Sequence, residues 1–338
     1  MTDKTEYLGY WLRRFLSEYL VSVKNMSRNT LRSYRDSFRL LIAFATARLK
    51  LSPDKLLLTS INQDVISIFL SDLEEKRNVS IATRNQRLAA FQSFAKYVAM
   101  QAPEHIEWCR MVRNIPMKKA SKQLITYLEK SEMDALLATP DIKTKQGWRD
   151  YVLLLFLYNT GARADEAASL SVSGLSLPQT KSDKTIPVVT IKGKDGKTRR
   201  CPLWKETADA LYKLTKGTAA DDPVFINRVG QRITRFGIYV MVTRYAKQLE
   251  EIMPPIKKKR VSPHTIRHTT ATHLLQAGVD INTIRVWLGH VSVNTTNVYA
   301  EVNLEMKAKA LQKCNPTECR TQKVDLNDEN LLSFLESL

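Results

Sequence analysis

The chain has 338 residues, enough to bury a sizeable core, and the usual size of a domain predicts two of them. Its longest apolar run, VLLLFLY at residues 152–158, is too short to span a bilayer. The N-terminus lacks the basic segment and uninterrupted apolar stretch of a secretory signal, and four cysteines are too few for a disulfide scaffold. These features exclude membrane-spanning and disulfide-stabilised classes and predict a cytoplasmic protein with no membrane partner.

The formal net charge of +18 indicates a polyanionic partner, because a basic protein gains affinity by releasing the counterions of a nucleic acid. Residues 1–122 carry a net charge of +10, residues 123–314 carry +11 and residues 315–338 carry −3. Charge in both large segments favours two halves that grip one duplex over a basic tail on a neutral enzyme. The alternative is a merely basic, solvated surface.

The N-terminal half predicts a small bundle of helices, because its apolar residues recur at helical spacing. Ser27 or Asn29 is a suitable cap for the second helix, and Asn62 or Asp64 for the third. The predicted helices lie at residues 6–20, 27–49, 61–76 and 80–100.

Two of these helices begin with Arg, Asn and Thr residues, which are suited to a major groove, although such residues are also common on solvated faces. Residues 114–123 break the helical pattern with Pro116 and are predicted to form a basic linker against phosphates. The candidate DNA contacts are Arg28, Thr30, Arg32, Arg35, Arg84, Asn85 and Arg87 on the helices, and Lys118, Lys119 and Lys122 in the linker.

The C-terminal half mixes helices with a hairpin. Ser131 is predicted to cap its first helix, with Asp134 three positions on. The run IPVVTIKGKDGKTRRCPL alternates apolar and polar residues around a turn at Asp195-Gly196 and predicts two paired strands, with Lys194 beside the turn. The remaining predictions are a buried helix that breaks at residues 160–161, a second one after the break, and helices at residues 204–215, 234–251, 264–277, 280–288 and 292–299.

The stretch SPHTIRHTTATHLLQAGVDINTIRVWLGH places His264, Arg267, His268 and His273 on one helix. One interpretation is a zinc site, since His264 and His268 are one turn apart. The sequence argues against it, because Thr265 stands where the zinc-protease pattern has glutamate. The helix, glycine turn and helix at residues 264–288 also suit a helix-turn-helix regulator without chemistry. Ordinary structural histidines are the third interpretation.

Three boxes occur in order along this half. TGARADEAASL resembles T-G-x-R-x-x-E-x-x-x-L, HTIRHTTATHLL resembles H-x-L-R-H-x-x-A-T-x-L, and LGHVSVNTTNVYAEV resembles L-G-H-x-x-x-x-T-T-x-x-Y, the motifs of the tyrosine recombinase (phage integrase) family. Ala162 and Ile266 depart from the usual residues without affecting the chemistry. The resemblance covers about residues 8–312 and implies a mainly α fold. Its parts are a helical, SAM-like core-binding domain (1–113), the linker (114–123), a mixed α+β catalytic domain with a small antiparallel sheet (124–315) and a tail (316–338).

The resemblance also implies a catalytic set with no cofactor and no metal. Two guanidinium groups are suited to hold a phosphodiester whose charge grows in the transition state, and nearby positive charge favours the phenolate of a tyrosine. Glu166 would support the structure by orienting neighbouring helices or an active-site histidine. The implied residues are Arg163 and Arg267 as the clamp, Lys194 as general acid, His264 as base or proton relay, His290 as a further donor and Tyr299 as nucleophile.

The implied function is site-specific recombination of double-stranded DNA through a 3′-phosphotyrosyl intermediate and a Holliday junction, by a tetramer on two DNA sites. A mobile-element integrase or transposase of the bacterial cytosol and nucleoid is expected, with accessory DNA-bending or sister recombinase proteins as further partners. The rivals are a type IB topoisomerase-like relaxing enzyme and the non-catalytic regulator. The acidic tail ends in apolar residues and either docks on a neighbouring protomer, packs on its own chain or is disordered; those residues are Leu331, Leu332, Phe334, Leu335 and Leu338.

Overall fold

The computed structural model describes residues 4–119, 125–178, 185–193 and 196–289. The chain divides into two compact units, one up to Gln123 and one from Leu124 onward. Among the described helices, none is both long and apolar enough to cross a membrane.

The described part of the N-terminal unit is helical. Ser27, Asn62 and Ser80 each accept a hydrogen bond from the backbone N–H three residues ahead, which satisfies donors that a helix start leaves unpaired. The helices are α1 at Leu8–Arg13, continued by a π-helical segment at Arg14–Val23, then α2 at Arg28–Leu49, α3 at Gln63–Arg77, α4 at Ile81–Gln101 and α5 at Ile106–Arg113, with 3-10 turns at Lys4–Glu6, Pro53–Lys55 and Pro103–His105.

Aromatic rings form the centre of this unit. The ring centroids of Phe15 and Phe94 lie 5.3 Å apart, and those of Phe38 and Phe91 also lie 5.3 Å apart, both pairs edge to face. The buried indole of Trp108 donates a hydrogen bond of 3.0 Å to the Ile61 carbonyl. These contacts join the π-helical segment, α2, α4 and α5 into one core and leave the arginine-rich face of α2 to solvent.

The C-terminal unit combines helices with one small sheet. The strands are β1 at Leu175–Ser176, β2 at Val188–Lys192 and β3 at Thr198–Pro202. Both strand pairs are antiparallel, in the order β1-β2-β3. The helices are α6 at Lys130–Ala138, α7 at Lys145–Thr160, α8 at Ala164–Ala168, α9 at Lys205–Thr215, α10 at Arg235–Ile252, α11 at Pro263–Gln276 and α12 at Ile281–Leu288, with 3-10 turns at Val172–Gly174 and Pro254–Lys258.

The core of this unit surrounds α7, where every residue from Val152 to Thr160 is buried. Side chains of α9, α10, α11 and the sheet pack into the same cluster. A smaller apolar cluster, which includes Leu275 and Leu288, joins α11 to α12. The ends of α7, α11 and α12 and the strand β3 are therefore held together, which brings the first two sequence motifs and the Leu288–Gly289 start of the third into one region.

The predicted fold class, a mainly α chain with a helical N-terminal unit and a mixed α+β unit with a small antiparallel sheet, is confirmed. The predicted Ser131 cap is wrong. Helix α6 begins at Lys130, and the Glu132 carboxylate accepts a hydrogen bond of 2.7 Å from the backbone N–H of Glu129. Lys259 holds the same carboxylate at 2.6 Å, so a distant residue fixes the start of this helix. The helix predicted at residues 292–299 lies outside the described residues.

Candidate active site

Arg163 stands at a sharp break between α7 and α8. Gly161 ends α7 with a left-handed backbone, at a φ of 59°. A Cβ atom there would lie 2.4 Å from Leu288 Cδ2, so glycine allows the end of α12 to approach closely. The backbone of Arg163 is extended, and its side chain remains 37% exposed. The break thus directs a partly solvated guanidinium to the surface beside a buried core.

Glu166 binds two arginines from one buried position. Its carboxylate accepts from Arg163 Nη1 at 2.8 Å and from the Arg163 backbone N–H at 2.9 Å, and it accepts from Arg199 Nη2 at 2.7 Å. Burial acts to raise the pKa of Glu166, but the hydrogen bonds and charge of Arg199, and then of Arg163, hold that pKa below its ordinary value. The carboxylate is therefore ionised at neutral pH and orients both guanidinium groups.

Arg267 joins the ends of two helices. It is 3% exposed, and it donates from Nη1 to the Gly161 carbonyl and from Nη2 to the Leu288 carbonyl, each at 2.7 Å. Carbonyls at helix C-termini have no partner within the helix and carry partial negative charge, so a buried cation is well placed against them. Arg267 thereby holds Gly161, two residues before Arg163, close to Leu288, two residues before His290.

His264 shares the environment of both arginines. The pKa of its imidazole lies below the ordinary value of 6.5, first because of lost hydration and then because of the positive charges of Arg267 and Arg163. An uncharged imidazole at neutral pH has a ring nitrogen that can accept a proton. Arg267 lies one turn from His264 on α11 and donates to the carbonyl two residues before Arg163, so the structure brings Arg163, His264 and Arg267 together as a cationic site in which His264 can accept a proton.

The other two histidines of α11 also have lowered pKa values. Burial lowers the pKa of His268 to about 4, with further contributions from His264 and Arg267. His273 shares a hydrogen bond of 2.7 Å between its Nδ1 and the Tyr158 hydroxyl. Within the described parts of the chain, no three His, Cys, Asp or Glu residues are grouped so that they could hold a metal ion.

Arg199 is a site residue that was missed in the sequence. It lies on β3, its side chain is 9% exposed, and its Nε donates to the Trp287 carbonyl at 2.8 Å. The signal was present in the strand alternation, because Arg199 and the buried Cys201 fall on the same, inward face of β3. A charged residue at an inward position requires a buried partner, which here is Glu166.

Lys194, His290 and Tyr299 of the predicted catalytic set, and Lys122 of the predicted linker, lie outside the described residues. The described chain reaches Gly193 on one side and Gly289 on the other, the residues directly before Lys194 and His290.

The predicted DNA contacts on α2 lie at the surface. Arg28, Arg32 and Arg35 are exposed, and Arg35 pairs with Asp36 at 2.8 Å, which lowers the pKa of that carboxyl. Thr30 is half-buried, and its hydroxyl lies 3.0 Å from the Ser27 hydroxyl in the helix cap. The arginines of α2 are therefore accessible, whereas Thr30 contributes to the helix start.

The predicted contacts on α4 hold the chain that leaves this helix bundle. Arg84 is 6% exposed and donates from Nη1 to the Pro116 carbonyl at 3.0 Å. Asn85 donates to the Lys118 carbonyl at 2.7 Å and accepts from the Lys118 N–H at 3.1 Å. Lys118 Nζ also binds Glu74 at 2.6 Å. These three residues therefore hold the chain after α5 in place, and their contact with DNA stays a prediction.

The last two predicted contacts differ in burial. Lys119 is exposed. Arg87 is half-buried, and the pKa of its guanidinium is lowered by burial and then by the charge of Arg77.

Two family models match the chain. The model of the phage integrase family matches residues 126–306, and the model of the phage integrase N-terminal SAM-like domain matches residues 12–101. The protein y4rC of Sinorhizobium fredii, an integrase/recombinase by name, is 37% identical over 329 residues, which cover 97% of each chain. Tyrosine recombinase XerC of Pelotomaculum thermopropionicum is 30% identical over 310 residues, which cover 88% of this chain and 95% of that protein.

Solved structures share the fold. XerH site-specific recombinase, in a post-cleavage complex with a palindromic difH substrate, superposes with a TM-score of 0.65 at 21% identity, covering 92% of this chain and 97% of that one. The Tn1549 transposon integrase in complex with transposon right end DNA gives a TM-score of 0.68 at 16% identity, covering 89% of this chain and 98% of that one.

Proposed function

Because the chain belongs to the phage integrase family of tyrosine recombinases, we propose that it cleaves and rejoins DNA at specific sites, with Tyr299 as the nucleophile. The Tyr299 oxygen attacks a scissile phosphate, the bond from phosphorus to the 5′ oxygen breaks, and a 3′-phosphotyrosyl link remains. The free 5′-hydroxyl of a partner strand then attacks this link and releases the tyrosine. One phosphodiester is exchanged for another, so the reaction requires no ATP as an energy source.

The observation that carries this proposal is the convergence of Arg163 and Arg267 on His264. Arg267 lies one turn from His264 on α11, and its Nη1 donates to the carbonyl of Gly161, two residues before Arg163. The charges of both arginines contribute to the lowered pKa of the imidazole. Directed N–H donors are suited to the charge that develops on the non-bridging phosphate oxygens, and the loss of one such donor costs about 10² to 10³ in rate. The same positive charge favours the phenolate of an incoming tyrosine.

Two proton transfers complete the proposed reaction. His264 accepts the proton of the Tyr299 hydroxyl, directly or through water, because its depressed pKa keeps the imidazole uncharged at neutral pH. Lys194 gives a proton to the departing 5′ oxygen, and His290 donates a hydrogen bond to the phosphate or to the tyrosine. In the reverse step the same groups exchange roles.

The proposed task is the movement of a mobile element, by integration or transposition, in the bacterial cytosol and nucleoid. The name of y4rC and the fold shared with a transposon integrase support this task. Four protomers would hold two DNA sites and exchange strands in pairs through a Holliday junction. Accessory DNA-bending proteins or a sister recombinase would be recruited by the DNA site.

A nicked duplex that carries the DNA flanking the gene tests the chemistry, because loss of the short 5′ strand traps the covalent intermediate. The wild-type protein should accumulate an adduct, and Tyr299→Phe should bind the duplex equally well and form none. Arg163→Lys should cut adduct formation by about 10²-fold, since lysine cannot reproduce two directed donors. Arg163 suits this test better than the buried Arg267, which also holds two helix ends.

Two further assays separate this proposal from its rivals. A recombinase resolves a synthetic Holliday junction that contains its sites, whereas a relaxing enzyme acts on supercoiled DNA and leaves the junction intact. A helix-turn-helix regulator would bind DNA identically with or without Tyr299 and would form no adduct. Junction resolution by the wild type and its loss in Tyr299→Phe would support recombination.

A further inference from the structure

The pair formed by Glu166 and Arg199 lies where three separate segments of the C-terminal unit come together. Arg199 reaches from β3 to Glu166 on α8 at 2.7 Å and to the Trp287 carbonyl on α12 at 2.8 Å. Glu166 at the same time holds Arg163 through both its backbone and its side chain. One ion pair therefore connects the sheet, the start of α8 and the end of α12.

The same pair also lies beside the residues that precede Lys194 and His290. A Cβ atom built on Gly193 would lie 3.6 Å from Glu166 Oε1 and 3.9 Å from Arg199 Nη1. A Cβ atom built on Gly289 would lie 3.2 Å from Arg199 Cδ and Nη1, and this glycine has a φ of 66°. At Gly289 a larger residue would press on Arg199, so glycine permits the chain to pass close to that side chain. At Gly193 an added Cβ would make ordinary van der Waals contact with the pair and would crowd the Lys197 carbonyl at 3.2 Å.

Arginine suits this junction because its rigid guanidinium donates in several fixed directions at once. In Arg199 the Nε atom donates to the α12 carbonyl and Nη2 donates to the carboxylate, and the side chain is 9% exposed. Lysine keeps the charge but presents a single ammonium on a flexible chain, and it cannot span both partners with the same geometry. Lysine at position 199 would therefore keep the positive charge but lose the hydrogen-bond geometry of the guanidinium.

We propose that the Glu166–Arg199 pair is a positioning device that sets Arg163, Lys194 and His290 in register around the scissile phosphate. Arg199 contacts no reacting atom; it acts through Glu166 on Arg163 and through the backbone at Gly193 and Gly289 on the two residues that follow them. This inference rests on the proposed function, because it assigns the pair a role in that reaction.

The test compares Arg199→Lys with Arg200→Lys, the same substitution at the neighbouring, exposed position on the opposite face of β3. Single-turnover formation of the covalent adduct is measured on the nicked duplex, together with DNA affinity and the thermal unfolding midpoint. Arg199→Lys should remain folded, bind DNA within about 3-fold of wild type and form adduct about 10²-fold more slowly, the usual consequence of a displacement near 1 Å. Arg200→Lys should match the wild type in all three measurements.

A substrate with sulfur in place of the 5′ bridging oxygen distinguishes positioning from damage to the fold. A thiolate leaves without receiving a proton, so this substrate does not require a correctly placed Lys194. The loss in Arg199→Lys should therefore shrink by about 10-fold or more on the sulfur substrate. An equal loss on both substrates, a rate equal to wild type, or a loss explained by unfolded protein would overturn the inference. Absence of adduct with the wild-type protein would instead overturn the proposed function, and this inference with it.

Discussion

At the scale of single residues, the candidate site depends on how burial and charge set protonation. Glu166 is ionised although it is buried, because two arginines bind it, while His264 and His268 share an environment that disfavours the imidazolium. The motif spacing predicted Arg163, His264 and Arg267 as site residues. Arg199 was not predicted, because its role depends on a strand face and on partners that are distant in sequence.

His268 should make stability depend on pH. Its pKa is about 4 in the folded chain and 6.5 ordinarily, so between these values the unfolded state binds more protons. The contribution of this histidine to stability is fully present above about pH 6.5 and is lost as the pH falls towards 4. Between pH 7 and pH 5 this histidine should remove about 2 kcal/mol from the free energy of unfolding, measured by urea denaturation.

The variant His268→Gln isolates this contribution. It should show a smaller pH dependence than the wild type by about 2 kcal/mol, whereas His264→Gln, at a more exposed position than His268, should change the dependence less. If His268→Gln has the same pH dependence as the wild type, the burial of this imidazole is not the cause.

At the scale of elements, helix bounds followed from periodicity and caps, and the predicted helices that lie within the described residues begin and end within a few residues of their predicted positions. Helix α5 at Ile106–Arg113 was not predicted. The misplaced cap of α6 had a tertiary cause, because Lys259 lies 127 positions from the Glu132 carboxylate that it binds. The close approach of α7 and α12 at Gly161 was also beyond a sequence argument. The T-G box predicted a break there but not the Leu288 side chain that fills the space beside it.

Gly161→Ala should destabilise the catalytic unit through two effects. A left-handed backbone costs a non-glycine residue about 1–2 kcal/mol, and the added Cβ would meet the buried Leu288 at 2.4 Å. We expect the free energy of unfolding to fall by about 2–4 kcal/mol in denaturant titrations. Gly217→Ala is the matched control, since its φ is 79° and no atom lies within 4 Å of an added Cβ.

The control should lose only the backbone contribution, about 1–2 kcal/mol. Equal losses in the two variants would mean that the contact between Gly161 and Leu288 does not limit the packing of α7 against α12.

At the scale of the whole molecule, the feature that matters most for binding is the number of basic residues and which of them face solvent. The net charge of +18 predicted a polyanionic partner from composition alone. Composition could not separate the arginines that face solvent from those that hold the protein together. Arg32 is exposed on α2, whereas Arg84 is 6% exposed and bound to the Pro116 carbonyl.

The salt dependence of DNA binding should separate these two residues. Affinity should fall steeply between 50 and 200 mM salt, by about 10³-fold or more if six or more phosphates are contacted. Arg32→Ala should reduce the slope of log affinity against log salt by about 1 and leave stability unchanged. Arg84→Ala should leave the slope unchanged and lower the unfolding midpoint. A reduced slope in Arg84→Ala at unchanged stability would assign that residue to DNA instead.

In the proposed reaction Tyr299 becomes joined to DNA, and mapping the linked residue tests this assignment. The adduct trapped on the nicked duplex is digested with trypsin and nuclease, and the peptide that carries the residual nucleotide is identified by mass spectrometry. Cleavage after Arg285 and Lys307 releases a peptide in which Tyr299 is the single tyrosine. We predict the phosphotyrosyl link on this peptide; a link on any other peptide, or no link with the cognate DNA, would contradict the account.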